Sequence, residues 1–264
     1  MSRPDRTSAP SPDGSRLIDV GGYRLWARVS EGGSPTVVFE SGGGDSSDVW
    51  SDVAAEVRRR RPVTTVLYDR AGLGRSERKA GPYRIDDEVD ALRHLLTAVG
   101  VTGDVLFVAH SYGGFVSLRA AATDARVRGV LLVDGNVPGF FDEAEVDRLL
   151  QRFAQFEDAM RRTSPEIAEV MIPLIRALPE TAATMRGTRL PLSLPVIDLL
   201  AEHTWVESPD EVDAMRRAHT AFVAESPHRE MALAPGTGHY IMNDRPEVVV
   251  GATERLIDQI GTRS

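Results

Sequence analysis

Short apolar runs and helix-spaced apolar positions alternate along most of the chain. Residues 36–39 (Thr-Val-Val-Phe) are short, apolar and mostly β-branched, which predicts a buried strand. Residues 49–60 then place Trp50, Val53, Ala54 and Val57 at helical spacing. The alternation continues with a strand at 63–68, a helix at 85–98, a strand at 104–108, a helix at 115–122 and a strand at 127–133. Strands separated by helices of this length predict βαβ units and a mostly parallel sheet covered by helices on both faces. Ahead of them, residues 15–20 and 23–29 flank Gly21-Gly22 and predict a β-hairpin.

Beyond Asn136 the strand pattern stops. Residues 142–161 and 165–178 read as helices, with Pro179, Pro191 and Pro195 punctuating the stretch after them. Strand pattern returns at 194–200 and 230–234, and a last helix is expected at 246–260. A helical insertion in an α/β sheet is expected as a cap over the carboxyl ends of the strands, where such sheets bind ligands. The expected division is a disordered tail at 1–14, an α/β core at 15–136 and 191–264, and a helical cap at 137–190. The tail is rich in Ser and Pro and too poor in apolar side chains to offset the entropy of ordering.

Composition narrows the function classes. The chain has 264 residues and no cysteine, which removes thiol nucleophiles, disulfides and thiolate metal sites. A net charge of −8 argues against a nucleic-acid partner. The basic run from Arg58 to Arg61 reads as a solvated helix end. No apolar stretch approaches the roughly 18 residues of a membrane span, and the first residues lack an apolar signal core. The expected location is therefore cytoplasmic.

The chemistry concentrates at strand ends. Residues 105–114 read as a strand, a tight small-residue turn centred on Ser111, and a helix start, the G-x-S-x-G nucleophile-elbow arrangement with Ala109 in the first glycine position. A helix-capping serine also fits this turn when it is taken alone. A hydroxyl nucleophile needs a base, usually a histidine oriented by a carboxylate. His239, in Gly236-Thr237-Gly238-His239-Tyr240 after the last strand, has the right context, whereas His110 beside the serine is expected to pack. Two backbone donors for an oxyanion are expected from Tyr112 and from the glycine loop 42–44, with Gly43 favoured and Gly42 or Gly44 possible. Asp134, ending the strand after the elbow helix, is the first choice of acid. Glu202 is the alternative, followed by Glu207 and Asp210, while Asp198 lies mid-strand and is expected to face a polar partner.

Four motifs in this order resemble the α/β-hydrolase family, in particular its lidded, serine-esterase-like members. They are Ser41-Gly42-Gly43-Gly44, the turn from Asp69 to Ser76, Ala109-His110-Ser111-Tyr112-Gly113, and Gly236 to Tyr240. Three departures stand out. Ser41 replaces the family's frequent histidine, Ala109 replaces a glycine, and no Asp follows the penultimate strand. Some members hold the acid where Asp134 lies. The family's dehalogenases and epoxide hydrolases use an Asp nucleophile, so Ser111 argues against those activities.

The resemblance implies a cofactor-independent, metal-free serine hydrolase of carboxylic esters, lactones or thioesters, acting on a small molecule through an acyl-enzyme. The altered acid site and Glu40 beside the glycine loop motivate an alternative, a non-hydrolytic lyase or cyclase of specialised biosynthesis. A non-catalytic small-molecule receptor is the third reading. The expected pocket comprises Gly42, Gly44, Trp50, Tyr112, Phe140, Phe141, Phe153, Phe156, Met171, Trp205 and Tyr240. An apolar cap surface would also suit a homodimer.

Overall fold

The computed structural model describes residues 5–206 and 208–261. A hairpin of β1 (Ser15–Asp19) and β2 (Arg24–Ser30) opens the chain, followed by β3 (Gly33–Glu40), α1 (Ser51–Arg60), β4 (Val63–Tyr68) and α2 (Ile85–Ala98). Next come β5 (Val105–His110), α3 (Gly113–Thr123) and β6 (Val127–Val133). Helices α4 (Glu143–Thr163), α5 (Pro165–Arg176) and α6 (Leu178–Gly187) separate β6 from β7 (Val196–Ala201). The chain ends with α7 (Pro209–Ala224), β8 (Arg229–Ala234), α8 (Ile241–Asp244) and α9 (Pro246–Gly261).

One sheet holds all eight described strands in the order β1-β2-β4-β3-β5-β6-β7-β8. β2 pairs antiparallel with β1 and β4, and every later pairing is parallel. The chain leaves β3 toward β4 on one side and leaves β5 toward β6 on the other. That reversal opens a crevice at the carboxyl ends of β3 and β5, where open α/β sheets bind ligands.

The two-residue period of the strands divides the core between the sheet's faces. Phe107, Val130 and Leu132 pack with Leu92, Leu95 and Phe115 from α2 and α3. Leu106, Val108 and Leu131 pack with Trp50, Val57 and Leu256 from the opposite helical layer. β5 is buried at every position, as a central parallel strand requires.

The structure adjusts three readings of the sequence. Residues 5–14 lie along β1: Leu17 donates its amide to the Ser8 hydroxyl at 2.9 Å, and Asp19 donates its own to the Thr7 hydroxyl at 3.0 Å. Their polar side chains serve as hydrogen-bond partners for the strand, a use that low hydrophobicity does not reveal. The expected tail residues 1–4 lie outside the described residues. The helical pattern at 165–178 breaks at Ala177 into α5 and α6. Helix α7 escaped the pattern because charged residues crowd its short apolar stripe of Met215, Ala218 and Phe222. Its N-cap is regular, with the Ser208 side chain accepting from the Glu211 amide. No helix among the described residues is long and apolar enough to cross a membrane.

Candidate active site

β5 ends at His110 and α3 begins at Gly113, so Ser111 and Tyr112 carry the whole strand-to-helix reversal. Ser111 adopts φ +51° and Asp134 φ +44°, and among the described residues these are the non-glycine positions in the left-handed region. Such backbone costs on the order of 1–3 kcal/mol per residue and persists only where its surroundings enforce it. The enforcement is close packing. A Cβ on Gly113 would stand 2.7 Å from the Ser41 carbonyl oxygen, and one on Gly114 would stand 2.9 Å from the Asn136 amide nitrogen. Asn136 also donates its amide to the Ser111 carbonyl at 2.8 Å, tying the turn to the end of β6. Ala109 is fully buried and still small enough for this approach.

The loop after β8 carries His239, whose Nδ1 lies 2.6 Å from Asp134 Oδ2. Asp134 also accepts from the Ala201 amide at 3.0 Å and the Thr204 hydroxyl at 2.8 Å. Burial pushes its carboxyl up, but the hydrogen bond and charge of His239, with the Ala201 and Thr204 donors, hold it below the usual carboxylate range. The end of β7 thus supplies donors to Asp134. The Glu202 carboxylate instead accepts from the Gly236 amide at 2.6 Å, at the root of the His239 loop. Asp210 is exposed in the first turn of α7, and Glu207 lies outside the described residues.

His110 buttresses this loop. Its ring packs 4.4 Å from that of His239 and 4.8 Å from that of Tyr240, and Nε2 donates to the His239 carbonyl at 3.1 Å. Burial pushes its imidazole pKa down, against the opposing pull of Asp45.

Gly43 and Tyr112 line the same cavity as Ser111, and no backbone acceptor among the described residues takes the amide of either. A Cβ built on Gly43 would lie 3.8 Å from the Tyr112 Cβ, so the glycine loop and the elbow meet there. The α3 N-terminus behind Tyr112 adds its partial positive charge.

Ser111 and His239 share a cavity of about 230 Å³ with Gly43, Tyr112, Asn136 and Trp205. Its remaining wall comes from the inserted segment: Phe141, Leu149, Phe153, Met171, Leu174, Ile175 and Leu178. Five expected lining residues are therefore present: Tyr112, Phe141, Phe153, Met171 and Trp205.

The other expected lining residues lie elsewhere. Trp50 belongs to the opposite face of the sheet, 5.5 Å from Phe39. Phe140 packs behind the wall against Phe141 and Trp205, while Phe156 points outward at 54% exposure. Tyr240 turns toward Asp45, its hydroxyl donating at 3.1 Å. A Cβ on Gly42 would meet Asp45 and His110, and one on Gly44 would meet Ile167 and Met171. Glu40 is buried against Arg70 and Tyr68, outside the cavity lining.

The unforeseen part of the wall carries a readable signal, since Leu174, Ile175 and Leu178 follow the expected Met171 at i+3, i+4 and i+7. Asn136 carries none.

The alpha/beta hydrolase family profile matches residues 37–252, and the chain belongs to that family. Its likeness to individual proteins is more distant. It is 27% identical to 2-(acetamidomethylene)succinate hydrolase of Mesorhizobium japonicum, over 92% of this chain and 95% of that one. YqjL of Bacillus subtilis is 36% identical, but the aligned segment covers 38% of this chain and only 39% of YqjL. Among solved structures, E-2-(acetamidomethylene)succinate hydrolase superposes with a TM-score of 0.64 at 22% identity, covering 92% of this chain and 98% of that chain. A thermophilic esterase from Thermogutta terrifontis superposes with a TM-score of 0.65 at 20% identity, covering 98% and 99%. These superpositions establish the shared fold.

Proposed function

We propose that the protein is a serine hydrolase that cleaves an uncharged carboxylic ester, with a lactone or thioester chemically equivalent, through an acyl-enzyme on Ser111. The observation that carries the reading is the meeting of strained Ser111 and the His239–Asp134 pair at one cavity. His239 Nε2 takes the Ser111 proton as Oγ bonds to the carbonyl carbon. Asp134 holds the ring by Nδ1 and stabilises the imidazolium. The Gly43 and Tyr112 amides receive the oxyanion, His239 returns the proton to the departing alkoxide, and water repeats the sequence to release the acid.

The lining favours an uncharged substrate. No Lys, Arg, Asp or Glu lines the cavity, and nine of its thirteen lining residues are Leu, Ile, Met, Phe, Tyr or Trp. A charged group entering there would lose its hydration without a partner. The Mesorhizobium relative is named for a succinate derivative, a dicarboxylate, which this wall does not suit. The volume lies just below the roughly 300–1,000 Å³ usual for ligand pockets, favouring a short acyl chain.

A fluorophosphonate probe tests the chemistry. The expected result is stoichiometric labelling of Ser111, with p-nitrophenyl acetate and butyrate turned over by wild type and not by Ser111→Ala. Folded wild-type protein that resists the probe, or equal turnover by Ser111→Ala, overturns the reading.

A further inference from the structure

The turn after β4, residues 69–76, has no role in the chemistry above, yet its second residue reaches beneath the glycine loop. Asp69 locks the turn, accepting from the Ser47 amide at 2.8 Å and the Arg75 amide at 2.9 Å. Arg70, 3% exposed, is thereby fixed under residues 41–43. Its Nη1 donates to the Ser41 carbonyl at 2.6 Å and to Glu40 Oε1 at 2.8 Å. Its Nη2 donates to the Gly42 carbonyl at 2.5 Å and the Gly43 carbonyl at 3.0 Å. The second oxygen of Glu40 accepts from the Tyr68 hydroxyl.

One guanidinium thus grips three successive carbonyls. In a planar trans peptide the C=O and the following N–H point in opposite directions. Carbonyls of Ser41, Gly42 and Gly43 directed at Arg70 therefore aim the amides of Gly42, Gly43 and Gly44 away from it. We infer that Arg70 is a positioning residue for the oxyanion site, with Glu40 as its counter-charge. The inference rests on the acyl-enzyme reading for its chemical meaning. Glycine alone leaves the loop free to turn either face of each peptide toward the substrate, and the clamp selects the donor face. Lysine cannot substitute, because its compact ammonium lacks the planar fork of five donors. A buried ion pair yields little net stability once desolvation is counted, so fold support alone does not account for the converging bonds.

The test compares wild type with Arg70→Lys and with the charge-neutral pair Glu40→Gln/Arg70→Met, which leaves no orphaned buried charge. Cooperative thermal unfolding identifies folded variants. In them kcat for p-nitrophenyl butyrate is expected to fall about 100-fold, the loss typical of one missing oxyanion donor, with KM within about threefold. A trifluoromethyl ketone, which forms a tetrahedral oxyanion on serine, should lose affinity by the same factor as kcat/KM, while butyrate binding stays unchanged. A crystal structure of Arg70→Lys should show the Gly42–Gly43 peptide turned over. Folded variants with kcat near wild type, equal losses for ketone and butyrate, or an unturned peptide overturn the clamp. Ser111→Ala assayed in parallel keeps the two readings apart: activity surviving there overturns the acyl-enzyme, and the loop conformation still decides for or against Arg70.

Discussion

Two carboxylate–imidazole pairs, with one aspartate just after β6 and the other in the neighbouring β7, meet at nearly the same distance. His239 Nδ1 lies 2.6 Å from Asp134, and His219 Nδ1 lies 2.7 Å from Asp198. Their surroundings differ. Asp134 has donors on both oxygens, and His239 borders the cavity with 19% of its side chain exposed. Asp198 keeps one oxygen without a partner among the described residues, and both members of its pair are sealed in the core. The carboxyl pKa values move oppositely. Asp134 is held down by its donors against burial, whereas burial pushes Asp198 up despite the charge of His219. A short Asp–His contact is therefore insufficient to define a reactive site. What sets the Asp134 pair apart is a carboxylate bonded on both oxygens and an imidazole that borders a cavity.

The two pairs should part most widely at the histidines. His239→Ala should lower kcat by about 10⁵–10⁶, as loss of a triad base does, while His219→Ala should leave ester turnover near wild type. The second variant should instead lose about 3–5 kcal/mol of stability, because it removes one partner of a buried pair and leaves the Asp198 carboxyl unpartnered in the core. Chemical denaturation read beside the ester assay separates the two outcomes. Next comes Asp134→Asn, with kcat down about 10⁴, against Asp198→Asn with kcat within about threefold of wild type. Comparable losses at both aspartates would erase the distinction.

Stability against pH separates the aspartates again. Asp134 has a depressed folded pKa, so its contribution is present above the ordinary carboxylate value and lost as pH falls through the folded one. Asp198 has a raised folded pKa, so its contribution is present below the ordinary value and lost as pH rises through the folded one. In Tm measurements across pH 3 to 7, Asp134→Asn should flatten the acid limb of the curve and Asp198→Asn should remove a decline toward neutrality. Matching changes in both variants would contradict the assignment. The smallest effect is expected from Thr204→Val, which removes one of the Asp134 donors. It should cost about 1.5–3 kcal/mol, the usual value for a hydrogen bond to a charged group, and raise the midpoint of the acid limb.

The contrast also shows how much of the site is legible in the chain itself. Ser111, His239 and Asp134 could be placed because each ends or follows a short apolar run, and parallel topology carries those ends to one edge of the sheet. Asp198 was expected to face a polar partner; its identity, His219, lies on a helix whose stripe the charged residues Asp213, Arg216 and Arg217 obscure. Glu202 was a reasonable rival by position, but only three-dimensional packing directs its carboxylate to Gly236. Trp50 failed as a pocket residue because helical spacing marks a buried face without saying which side of the sheet receives it. The role of Arg70 was invisible for a related reason: three of its four acceptors are carbonyls, and no residue type advertises a carbonyl.

The insertion between β6 and β7 has a consequence for how such a protein can change over generations. The groups proposed to make and break bonds come from strand ends and their adjoining loops, while most of the apolar wall comes from residues 141–178. Replacements at Leu149, Phe153 or Leu178 reshape the chamber without disturbing the backbone that strains Ser111 or orients His239. Novelty in diet and fidelity in chemistry are thus written on separate stretches of the chain, and a lineage can explore the first while leaving the second untouched.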